Sequence, residues 1–316
     1  VSKVRVCFLG TPEFAVTSLQ ALIADEHFEI VGVVTQPDRP AGRKMQLTPS
    51  PVKILALSHN LRVLSPESLR KEPALLEEIK KWGAEVAVVV AFGQILSQAF
   101  LDLFPFGAVN VHGSILPRWR GAAPIQRGIE AGDSESGVTL QRVVKKLDAG
   151  DIIGLRRWPL DQEITAMELH DRLAVLGADL LRVELMDYVR GNLASHPQDE
   201  TQVTHAAKID KSESEIVWAL PASQIHNKVR ALTMGPGTFT TAHGKKIKIH
   251  KTHVAESSGS KNAAGRIVAV NEEFISVQCG SGILNLLELQ PESRTRMKVA
   301  EFLKGHPLKS GDHFGV

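Results

Sequence analysis

Short, almost unbroken apolar runs limit what this chain can fold into more than any other feature: residues 4–9, 30–34, 86–91 and 108–111. A strand that is apolar on both sides must be covered on both faces, which is the situation of a parallel sheet sandwiched between helices. Helical patterns fall between these runs. Phe14, Ser18, Leu19 and Leu22 recur at helical spacing after Gly10-Thr11-Pro12-Glu13, where Thr11 suits a cap and Pro12 a first turn. A helix is expected over 51–60, a short strand over 62–64, and a helix opening at Ser65-Pro66 and ending before Ala84. Met167, Leu169, Leu173, Leu176, Leu180 and Met186 mark a long amphipathic helix. The expected fold class is α/β, a doubly wound, mostly parallel and Rossmann-like sheet.

The texture changes after residue 190. Polar residues without periodicity fill 191–208, as in a linker. Beyond it, 245–249, 265–270, 274–278 and 283–289 are strand-like, separated by Asn271-Glu272-Glu273 and Gly280-Ser281-Gly282. Many short strands with turn signals predict a smaller OB-like β-barrel. Residues 1–190 are therefore expected to form one domain and residues 209–316 a second. The 316-residue length accommodates both.

Charge and cysteine content narrow the function. Net charge is only +2, so the chain as a whole is not a polyanion binder. The residues from Ile209 onward nevertheless carry a basic excess while the rest carry a slight acidic one, a modest hint of a polyanionic partner for the second domain. Cys7 and Cys279 fall in different expected domains, which excludes a disulfide framework or thiolate metal site and suits a reducing compartment. No apolar stretch approaches the ~18 residues of a membrane span, and no signal-peptide pattern appears. A cytoplasmic, monomeric protein with no membrane or metal association is expected.

The first strand-to-helix turn argues against a nucleotide cofactor. Gly10-Thr11-Pro12-Glu13-Phe14-Ala15 lacks the second and third glycines that let backbone approach a pyrophosphate. Asn110 and His112 are more suggestive. Two apart on a strand, they share a face, and they lie at its carboxyl end, where open α/β sheets place ligands. Alone, the pair equally suits capping or packing. Leu147-Asp148-Ala149-Gly150-Asp151 is likewise ordinary turn chemistry.

Taken together, His112-Gly113-Ser114-Ile115-Leu116-Pro117, Arg118-Trp119-Arg120-Gly121-Ala122-Ala123-Pro124-Ile125 and Leu147-Asp148-Ala149-Gly150-Asp151-Ile152 resemble the folate-dependent formyltransferases over nearly the whole chain. The resemblance implies 10-formyltetrahydrofolate as formyl donor, direct attack by an amine without a covalent enzyme intermediate, and Asn110, His112 and Asp148 as catalytic residues. The chemistry wants these types. An amide N–H meets the oxyanion, imidazole moves protons near neutral pH, and a carboxylate orients the imidazole. The resemblance also implies a folate site lined by Ser114, Ile115, Leu116 and Pro117, and by Phe92, Gln94, Ile95 and Leu96; simple helix packing explains Gln94-Ile95-Leu96 equally well.

The resemblance implies methionine carried on initiator tRNA as the formyl acceptor, and two features favour tRNA over a small amine. Residues 35–52 hold four prolines and little periodicity, and so long an irregular stretch is usually functional. Within it Arg39, Arg43 and Lys44 resemble the loop with which the family grips an acceptor stem, although the family's glycine and two lysines after the arginine are replaced by Lys44-Met45-Gln46. The attached basic β domain is the second feature; alternation puts Lys246 and Lys248 on one strand face, where they could track phosphates. Two other readings compete: the same chemistry on an amino-sugar nucleotide, and a non-catalytic tRNA-binding protein. Trp119 and Arg120 suit folate, tRNA or packing equally.

Overall fold

The computed structural model describes residues 2–42, 45–256 and 262–315. It divides into two compact units: residues 1–121, 135–158 and 170–206, and residues 122–134, 159–169 and 207–316.

The first unit is built on a seven-stranded sheet. In chain order its elements are β1 (Val4–Gly10), α1 (Glu13–Ala24), β2 (Phe28–Val34), a small antiparallel hairpin of β3 (Arg39–Ala41) and β4 (Gln46–Thr48), α2 (Pro51–Ser58), β5 (Val63–Leu64), α3 (Pro73–Lys81), β6 (Val86–Val90), α4 (Gln98–Leu101), β7 (Ala108–His112) and β8 (Arg120–Gly121). After α5 (Pro124–Ala131), of the second unit, come β9 (Glu135–Arg142), β10 (Ile152–Pro159), the long helix α6 (Ala166–Val189) and β11 (His205–Ala206). Sheet order is β10-β9-β7-β6-β1-β2-β5. The β5, β2, β1, β6 and β7 pairs are parallel, whereas β9 runs antiparallel to β7. Every residue of β6 is buried, as its apolar run requires. Cys7, Leu9, Val34, Trp82, Ala87 and Phe100 pack in one core cluster, and burial pushes the Cys7 thiol far above its ordinary range, so it is an inert packing residue.

Several local expectations change. The first helix begins at Glu13 with Pro12 in the cap position, and Thr11 does not cap it; its hydroxyl instead donates to the Phe92 carbonyl at 3.1 Å. Gly10 serves close packing as well as the turn, because a Cβ there would stand 2.7 Å from Ala15 Cβ. The helix expected from Ser65-Pro66 starts only at Pro73, after a single 3-10 turn at Leu69–Lys71. The irregular stretch 35–52 contains the β3–β4 hairpin. Residues 191–206 do not hang free between units: they belong to the first, with β11 parallel to β8. Their polarity reflects hydrogen-bonding work, described below.

The second unit carries α7 (Ala222–Ala231), β12 (Thr238–Ala242), β13 (Lys245–Val254), β14 (Ile267–Val270), β15 (Ile275–Gln278), β16 (Ile283–Pro291), β17 (Met297–Lys298) and α8 (Val299–Gly305). Its strands run β12-β13-β16-β15-β14, all antiparallel, with β17 added to β16. Ile247, Ile249, Leu284, Leu286, Val229 and Phe302 form its core. Trp218 stacks on Phe314 at 5.7 Å and spends its indole N–H on Thr240 Oγ1, satisfying the one polar atom of a buried ring. The β-rich fold expected for 209–316 is present, although the unit also takes in residues 122–134 and 159–169, which the sequence pattern assigns to the first domain. Among the described residues no helix is long and apolar enough to cross a membrane.

Candidate active site

Strand β7 delivers Asn110 and His112 to the carboxyl end of the sheet. Both are paired to antiparallel β9, Asn110 opposite Gln141 and His112 opposite Thr139. His112 is buried, at 6% exposure. Its Nε2 lies 2.9 Å from the Trp119 carbonyl oxygen. A carbonyl only accepts, so Nε2 carries its hydrogen whether the ring is neutral or charged. Nδ1 is left to gain or give a proton, and it faces Asp148 Oδ1 at 3.7 Å.

Asp148 reaches that position from an unusual turn. Its φ is +49°, in the left-handed region that a β-carbon disfavours. Its carboxylate is held on both oxygens: Oδ2 accepts from the Gly121 N–H at 2.9 Å and Oδ1 from Gln141 Nε2 at 3.1 Å. Gln141 thus stands opposite Asn110 across the strand pair while bonding Asp148, linking the two ends of the site. The next strand-ward glycine, Gly150, lets the turn press against β9; a Cβ there would lie 1.8 Å from the Arg142 carbonyl oxygen.

Behind the turn lies a polar network from three stretches of chain, buried at Arg120 and open to solvent at Glu200 and Lys146. Gln198 Nε2 donates to the Asp148 carbonyl at 2.8 Å and the Gly150 carbonyl at 2.7 Å. Its Oε1 accepts from Arg120 Nε at 3.0 Å and Nη2 at 2.8 Å. Arg120 is 1% exposed and also pairs with Glu200 at 2.7 Å. Glu200 in turn takes Lys146 at 2.7 Å; Arg120, then Lys146, hold its carboxyl down to about 2. Neither Gln141 nor Gln198 lies in a motif, and an isolated glutamine carries no signal in the sequence. Arg120 is resolved as an internal brace, and Trp119 (φ +65°) supplies His112 with its carbonyl while its N–H donates to Thr204 Oγ1 at 2.9 Å.

The residues expected around folate fall in two loops. Ser114 and Leu116 are buried and Ile115 and Pro117 half-buried. The Ser114 hydroxyl donates to the Arg118 carbonyl at 2.6 Å, and Thr139 Oγ1 donates to the Ser114 carbonyl at 2.7 Å and accepts from Leu116 N–H at 3.1 Å. This loop therefore offers shape and backbone more than hydroxyl chemistry. In the other loop Phe92 is buried and its carbonyl accepts from Thr11 and Gln36. Gln94 is spent locally, accepting from Leu69 N–H at 2.8 Å and donating to the Pro66 carbonyl at 2.9 Å. Residues 94–96 are not themselves helical; Leu96 packs against the cluster that holds Phe100 and Leu101 of α4, while Ile95 is 75% exposed.

Of the cationic candidates, Arg39 opens β3 and forms an exposed ion pair with Glu67 at 3.1 Å. Arg43 and Lys44 lie outside the described residues. Lys246 and Lys248 are exposed on β13, alternating with buried Ile247 and Ile249, and Lys246 Nζ sits 3.5 Å from the Phe239 ring centroid. Among the described residues no group of three or more His, Cys, Asp and Glu could hold a metal ion.

A mostly parallel sheet carrying Asn110 and His112 on β7, with the His112 ring facing the braced Asp148 carboxylate, is followed by a β-rich domain. Residues 3–183 match the formyl transferase family and residues 208–307 the formyl transferase C-terminal domain, and the chain belongs to that family. More particularly, it is 68% identical to the methionyl-tRNA formyltransferase of Bdellovibrio bacteriovorus, with 100% of both chains covered. It is 43% identical to the methionyl-tRNA formyltransferase of Pseudoalteromonas translucida, over 95% of this chain and 94% of that one. Its fold is similar to that of an N-formyltransferase from Helicobacter canadensis in complex with folinic acid and dTDP-3-aminofucose, at a TM-score of 0.67 and 20% identity, covering 90% of this chain and 99% of the other.

Proposed function

We propose that this chain transfers the formyl group of 10-formyltetrahydrofolate to the α-amino group of methionine carried on initiator tRNA. The observation that carries the acceptor is the full-length 68% identity to a methionyl-tRNA formyltransferase. The 20% likeness to the N-formyltransferase in complex with dTDP-3-aminofucose is a likeness of fold alone.

The reaction is direct. The neutral amine adds to the formyl carbon, and the carbonyl oxygen becomes an oxyanion. Collapse breaks the bond to N10 of folate, and one proton passes from the amine nitrogen to N10. Asn110, whose side chain is half-buried at the strand tip, donates an N–H to the oxyanion, a contact worth ~3–4 kcal/mol in comparable sites. His112 handles the proton through Nδ1, since Nε2 is occupied by Trp119. Asp148 stabilises the imidazolium and keeps the ring oriented, acting directly or through one water over the 3.7 Å gap. Neither cysteine is a nucleophile: both are buried and their thiols are pushed up, that of Cys279 to about 12.

In this reading Ser114, Ile115, Leu116 and Pro117 shape the folate slot from one side, and Phe92, Gln94, Ile95 and Leu96 from the other. Arg39, Arg43, Lys44, Lys246 and Lys248 meet tRNA phosphates. The test supplies labelled 10-formyltetrahydrofolate with methionyl-tRNA, an amino-sugar nucleotide or a small purine-precursor amine. Label is expected on methionyl-tRNA alone and absent for Asn110→Ala, His112→Ala and Asp148→Ala. Label on the sugar nucleotide, or on none, overturns the proposal.

A further inference from the structure

The Asp148 turn is strained and yet must be exact. A residue with a β-carbon at φ +49° keeps that conformation only where its surroundings over-determine it. One side chain, Gln198, grips the backbone of the turn directly. The two hydrogens of Gln198 Nε2 reach carbonyls two residues apart, Asp148 at 2.8 Å and Gly150 at 2.7 Å, and so pin both ends of the turn; Gln141 Oε1, at 3.3 Å, is a weaker third neighbour.

An amide can do this in only one of its two orientations. Arg120 enforces it, because two guanidinium N–H groups meet Gln198 Oε1 and a flipped amide would set NH2 against them. Arg120 is itself held by Glu200, two residues beyond Gln198. The network also returns to the carboxylate. Gly121, next to Arg120, and Gln141, beside Gln198, are the two donors that hold the oxygens of Asp148. Loss of Gln198 would strip both carbonyls of their donor and let the turn relax toward ordinary backbone, carrying the carboxylate away from His112 Nδ1.

We propose that Gln198, locked by Arg120, is a positioning residue for the reaction, and that the 195–206 segment is a strap that sets the Asp148 carboxylate. This rests on the role proposed for Asp148. Displacements near 1 Å cost on the order of 100-fold in rate, so Gln198→Ala in the full-length enzyme is expected to lower kcat about 30–100-fold. KM for the folate and for methionyl-tRNA should stay within about twofold. Gln198→Glu keeps the acceptor for Arg120 but turns a carboxylate on two carbonyls, and should lose at least as much while remaining folded. In an Asp148→Asn background, removing Gln198 should lower kcat by less than about threefold, because the group it positions is already gone. The inference is overturned if Gln198→Ala and Gln198→Glu keep near-native kcat per folded molecule, even with a lowered Tm, or if the loss is fully additive with Asp148→Asn. Normal turnover by Asp148→Asn alone would instead sink the proposed role of Asp148 and this inference with it, which separates the two failures.

Discussion

His112 Nδ1 and Asp148 Oδ1 stand 3.7 Å apart, beyond direct hydrogen bonding, while His112 Nε2 is bonded to the Trp119 carbonyl at 2.9 Å. The imidazole is therefore anchored by one nitrogen, and the proposed proton transfer falls to the other. His112→Gln, whose amide can reach the Trp119 carbonyl, should preserve the fold and still lose turnover about 100- to 10,000-fold, the range of a general acid–base group. Single-turnover rates with saturating folate and methionyl-tRNA measure this. A variant within tenfold of the native rate would remove Nδ1 from proton transfer.

Gly150 is required by proximity, since a methyl there would meet the Arg142 carbonyl at 1.8 Å. Backbone cannot rotate away as a flexible side chain can. Gly150→Ala should destabilise the protein by ~1–3 kcal/mol, as overpacking does, and should lower kcat by shifting the adjoining Asp148 turn. Urea titration followed by kinetics on the folded fraction checks both effects, and native values for both would mean the turn lies farther from β9.

Lys246 and Lys248 lie on the exposed face of β13. If they track phosphates, changing both to Gln should raise KM for methionyl-tRNA and make its logarithmic dependence on salt shallower by about one unit per lysine. KM for the folate should not move. Loss of the Lys246–Phe239 contact would cost only ~0.5–1 kcal/mol, a minor stability change. An unaltered salt slope would show that these lysines serve the surface alone.

His226, in the second unit, gives a pH dependence with a definite sign. It is buried, Nε2 donates to the Gln162 carbonyl at 3.1 Å, and Nδ1 lies 2.9 Å from Thr252 Oγ1, a hydroxyl able to donate to the neutral ring. Burial pushes its pKa below the ordinary 6.5; the Gln162 carbonyl and Glu163 oppose that shift, while Arg230 and His253 add to it. Below pH ~6.5 the unfolded chain thus binds more protons than the native state, so stability falls as pH falls from there through the depressed native pKa. Guanidinium midpoints between pH 7.5 and 5 should drop in the native protein and flatten in His226→Gln. Equal slopes in the two proteins would assign the effect to other groups.

What the linear chain settled is the part governed by local composition. Continuous apolar runs became β1, β2, β6 and β7 because a strand buried on both faces has no use for polar residues. The 166–189 helix followed from its spacing, and a contiguous motif put Asn110 and His112 at a strand tip. β9 and β10 have no such run, because both carry arginine and small residues that interrupt the apolar pattern. The brace of the site was beyond reach for a different reason. Gln198 is 50 residues from Asp148 and 78 from Arg120, and a glutamine amide has no meaning until folding decides which donors and acceptors surround it. Chemical types and strand ends are written locally; the orientation of one carboxylate is fixed by groups that meet only in three dimensions.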